Sequence, residues 1–137
     1  MTEATNTQVI QTAFACFAQG DVAGILNTLT DDVTWHVAPV ENAPYTGTRH
    51  GTAGAADFFA TMAASEDTLK FEPREFIAQD DKVVVVGHYE GKVKTTGRTY
   101  ETYFVHVFTL QAGKIVSFRE YTDTAAQQQA FMKAQAA

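Results

Sequence analysis

Cysteine is almost absent from this chain: Cys16 is the only one in 137 residues. That excludes an internal disulfide, and no Cys/His spacing of the zinc type is present. Positive charge is also scarce. Ten Lys and Arg stand against sixteen Asp and Glu, for a net charge of -6 and a pI near 5.0, and no basic stripe occurs. A nucleic-acid partner or an anionic membrane surface is therefore not expected. No run of about 18 apolar residues exists to span a membrane. The opening MTEATNTQ has neither the basic nor the apolar region of a secretion signal, so the expected location is cytoplasmic. Metal, nucleotide and flavin motifs are missing as well, and no cofactor or metal is expected.

What is present is apolar bulk. Hydrophobic residues make up 45% of the chain, with ten Phe, five Tyr and one Trp. With this length, they favour one domain over residues 1–137 with one core.

Three helices are predicted first, from apolar residues at i, i+3, i+4 and i+7. One carries Ile10, Ala13, Phe14 and Phe17; the next, opened by Asp21, carries Val22, Ile25, Leu26 and Leu29. The third follows Thr52 with Ala55, Phe58, Phe59 and Met62. A short strand at 33–37 and an irregular Gly/Pro stretch separate the second and third. From Leu69 the period becomes two, giving strands at about 69–78, 82–95, 99–110 and 114–122. Pro73 suits an edge strand or a bulge. Asp123 caps a final helix over 124–134. Helices followed by a meander argue for an α+β fold with helices on one face of a curved antiparallel sheet.

Hairpin arithmetic places His106, which sits in the apolar run ETYFVHVFTL. Any even-length loop around Thr96-Gly97 puts Val85, Gly87, Tyr89 and Gly91 on one face with Phe104, His106 and Phe108. A three-residue loop at 111–113 adds Val116, Phe118, Glu120 and Thr122, sets Phe118 opposite His106, and makes Glu120 its diagonal neighbour. Gly87 and Gly91 are expected to leave space beside the pair. Aromatic walls around a few convergent polar groups suggest a small-molecule site. The other face mixes Val84, Val86, Val105, Val107 and Ile115 with His88, Glu90, Tyr103, Arg119 and Tyr121, a composition expected of a homodimer surface.

The segments QGDVAGILNTLTDDVTW, HGTAGAADFF, TGRTYETYFVHVFTL and GKIVSFREYTDT together resemble the SnoaL-like branch of the nuclear-transport-factor-2-like superfamily, along essentially the whole chain. The resemblance implies a cone: a curved sheet wrapped by three N-terminal helices plus a short C-terminal helix. The superfamily includes ketosteroid isomerase, limonene epoxide hydrolase and polyketide cyclases. Compared with the isomerase, His106 stands where its second oxyanion donor would be. Val37 replaces its general base, and Ala13 or Phe14 its tyrosine donor. Compared with the hydrolase, Glu120 matches the water-activating acid and Phe118 the pocket tryptophan. Trp35 and Val37 stand where that enzyme has groups that hold the water, and its Arg-x-Asp pair is missing.

These readings give Glu120 and His106 as the candidate acid–base pair. Trp35, Val37, Tyr45, Phe59, Tyr89, Phe104 and Phe118 are the candidate ligand-binding residues. The expected function is cofactor-free isomerase, cyclase, lyase or hydrolase chemistry on a small hydrophobic, oxygenated molecule. The alternatives are a non-catalytic binder of the same fold, or a dimeric protein without an open pocket. His36, His50 and His88 are read as surface or interface residues. Arg49 and Arg98 are read as solvated or as orienting an anionic ligand.

Overall fold

The computed structural model of the protein describes residues 2–132. Its elements are α1 (Glu3–Ala18), α2 (Val22–Leu26), β1 (Leu29–Val37), β2 (Gly47–His50), α3 (Gly51–Ser65), β3 (Glu66–Gln79), β4 (Lys82–Val93), β5 (Thr99–Gln111), β6 (Lys114–Thr122) and α4 (Thr124–Phe131). The six strands form one curved, unclosed sheet in the order β2-β1-β6-β5-β4-β3, wrapped by the helices in the expected α+β layout. Neighbouring strands run antiparallel except β1 and β6, which are parallel. Among the described residues no helix is long and apolar enough to cross a membrane.

Local chemistry explains most boundaries. Thr2 caps α1 by accepting from the Thr5 amide, and the chain turns away at Gly20, whose φ of 71° glycine adopts without penalty. Asp21 caps α2 through the Gly24 amide at 2.9 Å. The expected fourth member of that helix, Leu29, is instead the first residue of β1. The β-branched residues that follow favour an extended chain, and the Thr28 carbonyl accepts from the Ile115 amide at 2.8 Å. β2 was not predicted: its four residues GTRH carry no apolar alternation, and pairing with β1 makes them a strand. Asp123 accepts from the Ala126 amide at 3.1 Å and opens α4, which ends at Phe131. The remainder of the expected 124–134 helix, from residue 133 onward, lies outside the described residues.

Pro73 is both on an edge strand and at a bulge: β3 is the last strand at one end of the sheet, and its register against β4 shifts twice, at Thr68/Lys70 and at Pro73/Glu75. β4 and β5 join through residues 94–98; the last ladder pair is Lys92 with Thr99, with six residues between them in the turn, and Val93 accepts from Gly97 and donates to Arg98. The even number of residues between those paired ends keeps Val85, Gly87 and Tyr89 on the face of Phe104 and His106, as parity required.

The β5–β6 hairpin departs from expectation. Its loop is two residues, Ala112 and Gly113, both at positive φ, and a bulge between Thr109 and Leu110 leaves Val116 unpaired. The shorter turn and the extra residue return Phe118, Glu120 and Thr122 to the expected face but move each along by two. Glu120 is therefore directly opposite His106, and Phe118 opposite Phe108. The bulge also reverses the neighbours: Ile115, assigned from sequence to the outer face, is buried inside, and Val116 is not.

Candidate functional site

The inner face of the sheet and the helices over it enclose a cavity of about 70 Å³, measured as room for the centres of water molecules. By that measure one water needs about 10–15 Å³, so a few waters or a small ring can enter. Its walls are mostly aromatic. Phe118 stacks on Trp35 at 4.0 Å between centroids, and Phe104 on Phe71 at 5.2 Å.

His106 lies in this wall, ringed by Phe14, Phe104, Phe108 and Phe118 at centroid distances of 4.3 to 6.1 Å. Its Nε2 is 2.6 Å from Glu120 Oε2. With Glu120 as the carboxylate, Nε2 carries the proton and donates it. Direct cross-strand opposition accounts for the contact, since facing Cβ atoms lie about 4.5–5.5 Å apart. Among the described residues, Nδ1 of His106 is buried without a partner, and so is the indole N–H of Trp35. Both belong to cavity-lining residues.

Of the candidate ligand-binding residues, Trp35, Tyr45, Phe59, Tyr89, Phe104 and Phe118 line the cavity. Val37 does not. It is buried in β1 beside Glu120 in the parallel register. The two glycines do not leave open space. A Cβ at Gly87 would lie 2.3 Å from the Phe104 ring, and one at Gly91 would lie 2.7 Å from Glu66 Oε2, so each glycine accommodates a neighbour's side chain.

The second of those neighbours was missed from sequence. Glu66, at the start of β3, is 3% exposed and makes no ion pair among the described residues. Three phenols donate to it instead: Tyr45 to Oε1 at 2.5 Å, Tyr100 to Oε2 at 2.7 Å, and Tyr89 to Oε2. The Tyr45 and Tyr100 oxygens are 3.2 Å apart, and Gln127 of α4 donates to them at 3.1 and 3.4 Å. Burial raises the Glu66 pKa above 4.5. The phenol hydrogen bonds oppose that rise, and the charge of Glu120 adds to it. The three tyrosines are pushed far above the ordinary phenol range, first by burial.

Tyr100 was reachable by parity, because it shares the inner face of β5 with His106. Glu66 was not, because the two β3 bulges each flip the face and leave no simple alternation to follow.

The remaining candidates are engaged in structure. Arg49 donates to the carbonyls of Pro44, Tyr45 and Thr46 and pairs with Asp57 at 3.0 Å, which fixes the loop carrying Tyr45. Arg98 donates to the Gln129 carbonyl. His36 shares a hydrogen bond with Thr48, and His88 packs edge-on against Tyr103 on the outer face.

No curated protein sequence matches the chain. Among solved structures, a nuclear-transport-factor-2-like protein from Burkholderia xenovorans LB400 is similar at 36% identity, over 96% of this chain and 99% of that one, with a TM-score of 0.88. A protein of the same description from Burkholderia thailandensis E264 is 26% identical over 96% and 99%, with a TM-score of 0.85. TerC, co-crystallized with polyporic acid, is 33% identical over 93% and 98%, with a TM-score of 0.77. The SnoaL-like domain profile matches residues 10–118, from within α1 to within β6. That match takes in most of the chain, which belongs to the SnoaL-like domain family.

Proposed function

We propose that the protein is an acid–base catalyst acting with its own side chains on a small hydrophobic, oxygen-bearing molecule held in the cone cavity. The observation that carries this reading is the His106–Glu120 hydrogen bond of 2.6 Å in the wall of an aromatic cavity. Glu120 is the base, taking a proton from carbon or from water. His106 orients the carboxylate and compensates its charge. The reaction class is that of isomerases, cyclases, lyases or hydrolases. TerC, 33% identical to this chain, was crystallized with polyporic acid. Aromatic walls with a few polar groups suit a small aryl ketone that carries an α C–H.

The small size of the cavity favours one second reading, a binder in which the same pair orients a ligand. A panel of aryl ketones and hydroxyquinones distinguishes the two. Binding is followed by thermal shift, and proton exchange at carbon by NMR in D2O. The catalyst exchanges α-protons of bound ketones, and Glu120→Gln binds them without exchange. Binding with no exchange by the wild type leaves the binder.

The outer face carries Tyr103 at 65% and Tyr121 at 41% exposure beside the half-buried Val84, Val86, Val105 and Val107. Such a patch fits pairing with a second copy of the chain through the back of the sheet. Sedimentation should show a dimer that Tyr103→Glu dissociates. A monomeric wild type contradicts this.

A further inference from the structure

Buried nitrogen and oxygen atoms are nearly always hydrogen-bonded, so one without a partner calls for a physical reason. Five such side-chain atoms occur among the described residues, on Asn6, Thr30, Trp35, His88 and His106. Of these, Trp35 Nε1 and His106 Nδ1 alone belong to residues lining the cone cavity. The hydroxyls that share that lining are already engaged. Tyr45, Tyr89 and Tyr100 donate to Glu66, Thr122 to Gln127, and Thr102 to the Tyr103 carbonyl. Trp35 and His106 are 4% and 6% exposed, and their rings share a neighbour. Phe118 stacks on Trp35 at 4.0 Å and meets His106 edge-on at 4.9 Å, so the two ring centres can be no farther apart than those distances laid end to end. One aromatic ring with an oxygen on either side can span such a gap and meet both nitrogens.

The two atoms require opposite partners. The indole nitrogen of Trp35 always carries its proton and can only donate. Nε2 of His106 donates to the Glu120 carboxylate, so the neutral imidazole has a bare lone pair at Nδ1 and can only accept there. The resemblance to the isomerase puts an oxyanion donor at His106; with its proton committed to Glu120, this histidine has none to offer the cavity. Phe14, Phe104, Phe108 and Phe118 ring it and supply no donor of their own. We propose that Trp35 and His106 select a neutral aryl ketone that also carries a hydroxyl: the ketone oxygen accepts from the Trp35 indole, and the hydroxyl donates to His106 Nδ1. The proposal rests on the cavity being the binding site for a small oxygen-bearing molecule, and it states what the two oxygens are; it does not need Glu120 to be a base. A carboxylate or an ionised phenol has no proton for Nδ1. A ketone without the hydroxyl leaves that nitrogen unpaired, and sites built to bond a substrate hydroxyl discriminate against analogues that lack it for this reason.

The probes are meta- and para-hydroxyacetophenone, their methyl ethers, and the matching ethylphenols, which keep the hydroxyl and lack the carbonyl. Affinities are measured by calorimetry at a pH where the phenols are neutral. The better of the two hydroxyacetophenones should bind about tenfold more tightly than its methyl ether. Trp35→Phe keeps a ring against Phe118 and removes the N–H. It should weaken that hydroxyacetophenone about tenfold and the matching ethylphenol far less, a difference that a general loss of packing would not produce. The wild type reports on the other end without any change to the site. In ¹⁵N-His-labelled protein, with His36, His50 and His88 each replaced by Gln in turn to assign the spectrum, His106 Nδ1 should resonate as an unprotonated nitrogen. It should move upfield when the hydroxyacetophenone binds and stay in place with the methyl ether. Equal affinity for hydroxyketone and methyl ether overturns the proposal and means that water alone serves the two nitrogens. Equal weakening of ketone and ethylphenol by Trp35→Phe overturns it, as does a protonated Nδ1 in the free protein. Hydroxyacetophenones that do not bind at all also overturn it. The acid–base reading fails differently: a hydroxyketone bound in the expected pattern with no α-proton exchange removes that reading and leaves this one standing.

Discussion

Gly87→Ala tests whether the site wall is as closely packed as the geometry states. The new Cβ would sit 2.3 and 2.7 Å from Phe104 Cζ and Cε2, and 2.5 Å from the Glu72 carbonyl oxygen. The ring has little room to yield, being stacked on Phe71 at 5.2 Å and packed on His106 at 4.3 Å. The carbonyl belongs to the backbone of β3, where Pro73 already faces Gly87 at a bulge. Overpacking of this kind costs about 1–3 kcal/mol, and a backbone clash places it at the upper end. At about 2.1 cal/mol/K per residue, each kcal/mol lowers Tm by roughly 3–4 °C in a chain of this length. The expected loss is roughly 7–10 °C, read by circular dichroism, with the urea midpoint moving and the slope unchanged. Phe104→Leu removes both ring contacts, so the double variant should be more stable than the sum of the single effects predicts. Wild-type stability in Gly87→Ala, or strict additivity with Phe104→Leu, would refute the packing argument.

The polar cluster makes two further predictions. Glu66 is raised by burial, so between 4.5 and its folded value the native protein holds a proton that the unfolded chain has released. Its stabilising contribution is complete below that window and is lost as pH rises through the folded value, by at most about 1.36 kcal/mol per pH unit. The stability difference between wild type and Glu66→Gln, measured by urea unfolding across pH, should therefore fall as pH rises; a flat or rising difference contradicts this. Tyr45, Tyr89 and Tyr100 are raised far above the phenol range by burial. Their contribution is complete below the ordinary phenol value and is lost above it. In an alkaline ultraviolet titration they should ionise together with loss of the native dichroism spectrum. Ionisation of all three in a still-native protein would show that the cluster is open.

Much of this architecture was legible because strand parity survives errors of register. An even number of residues between the paired ends of β4 and β5 fixes which residues share the inner face, whatever that number is, so Tyr89, Phe104 and His106 were placed from spacing alone. The distance between His106 and Glu120 was not legible. It depends on a turn one residue shorter and a bulge one residue longer, which cancel in parity and add in register. Val37 was placed in the site through resemblance, but it packs within β1. Gly87 and Gly91 signalled missing bulk correctly and its use wrongly, because only the tertiary structure shows the Phe104 ring and the Glu66 carboxyl filling those positions. Glu66 itself reads in sequence as one more surface acid at a helix end. Its burial follows from two bulges in β3 and three tyrosines brought from three separate segments.

The account depends most on Glu120 being a base rather than a polar wall residue. The direct measurement is the rate of α-deuterium incorporation into the aryl ketones of that panel in D2O at matched occupancy of wild type and Glu120→Gln. A drop of about 10²–10⁴-fold in the variant, with the ketone still bound, is the predicted result. Equal rates in the two proteins would contradict the assignment of Glu120 and with it the proposed function.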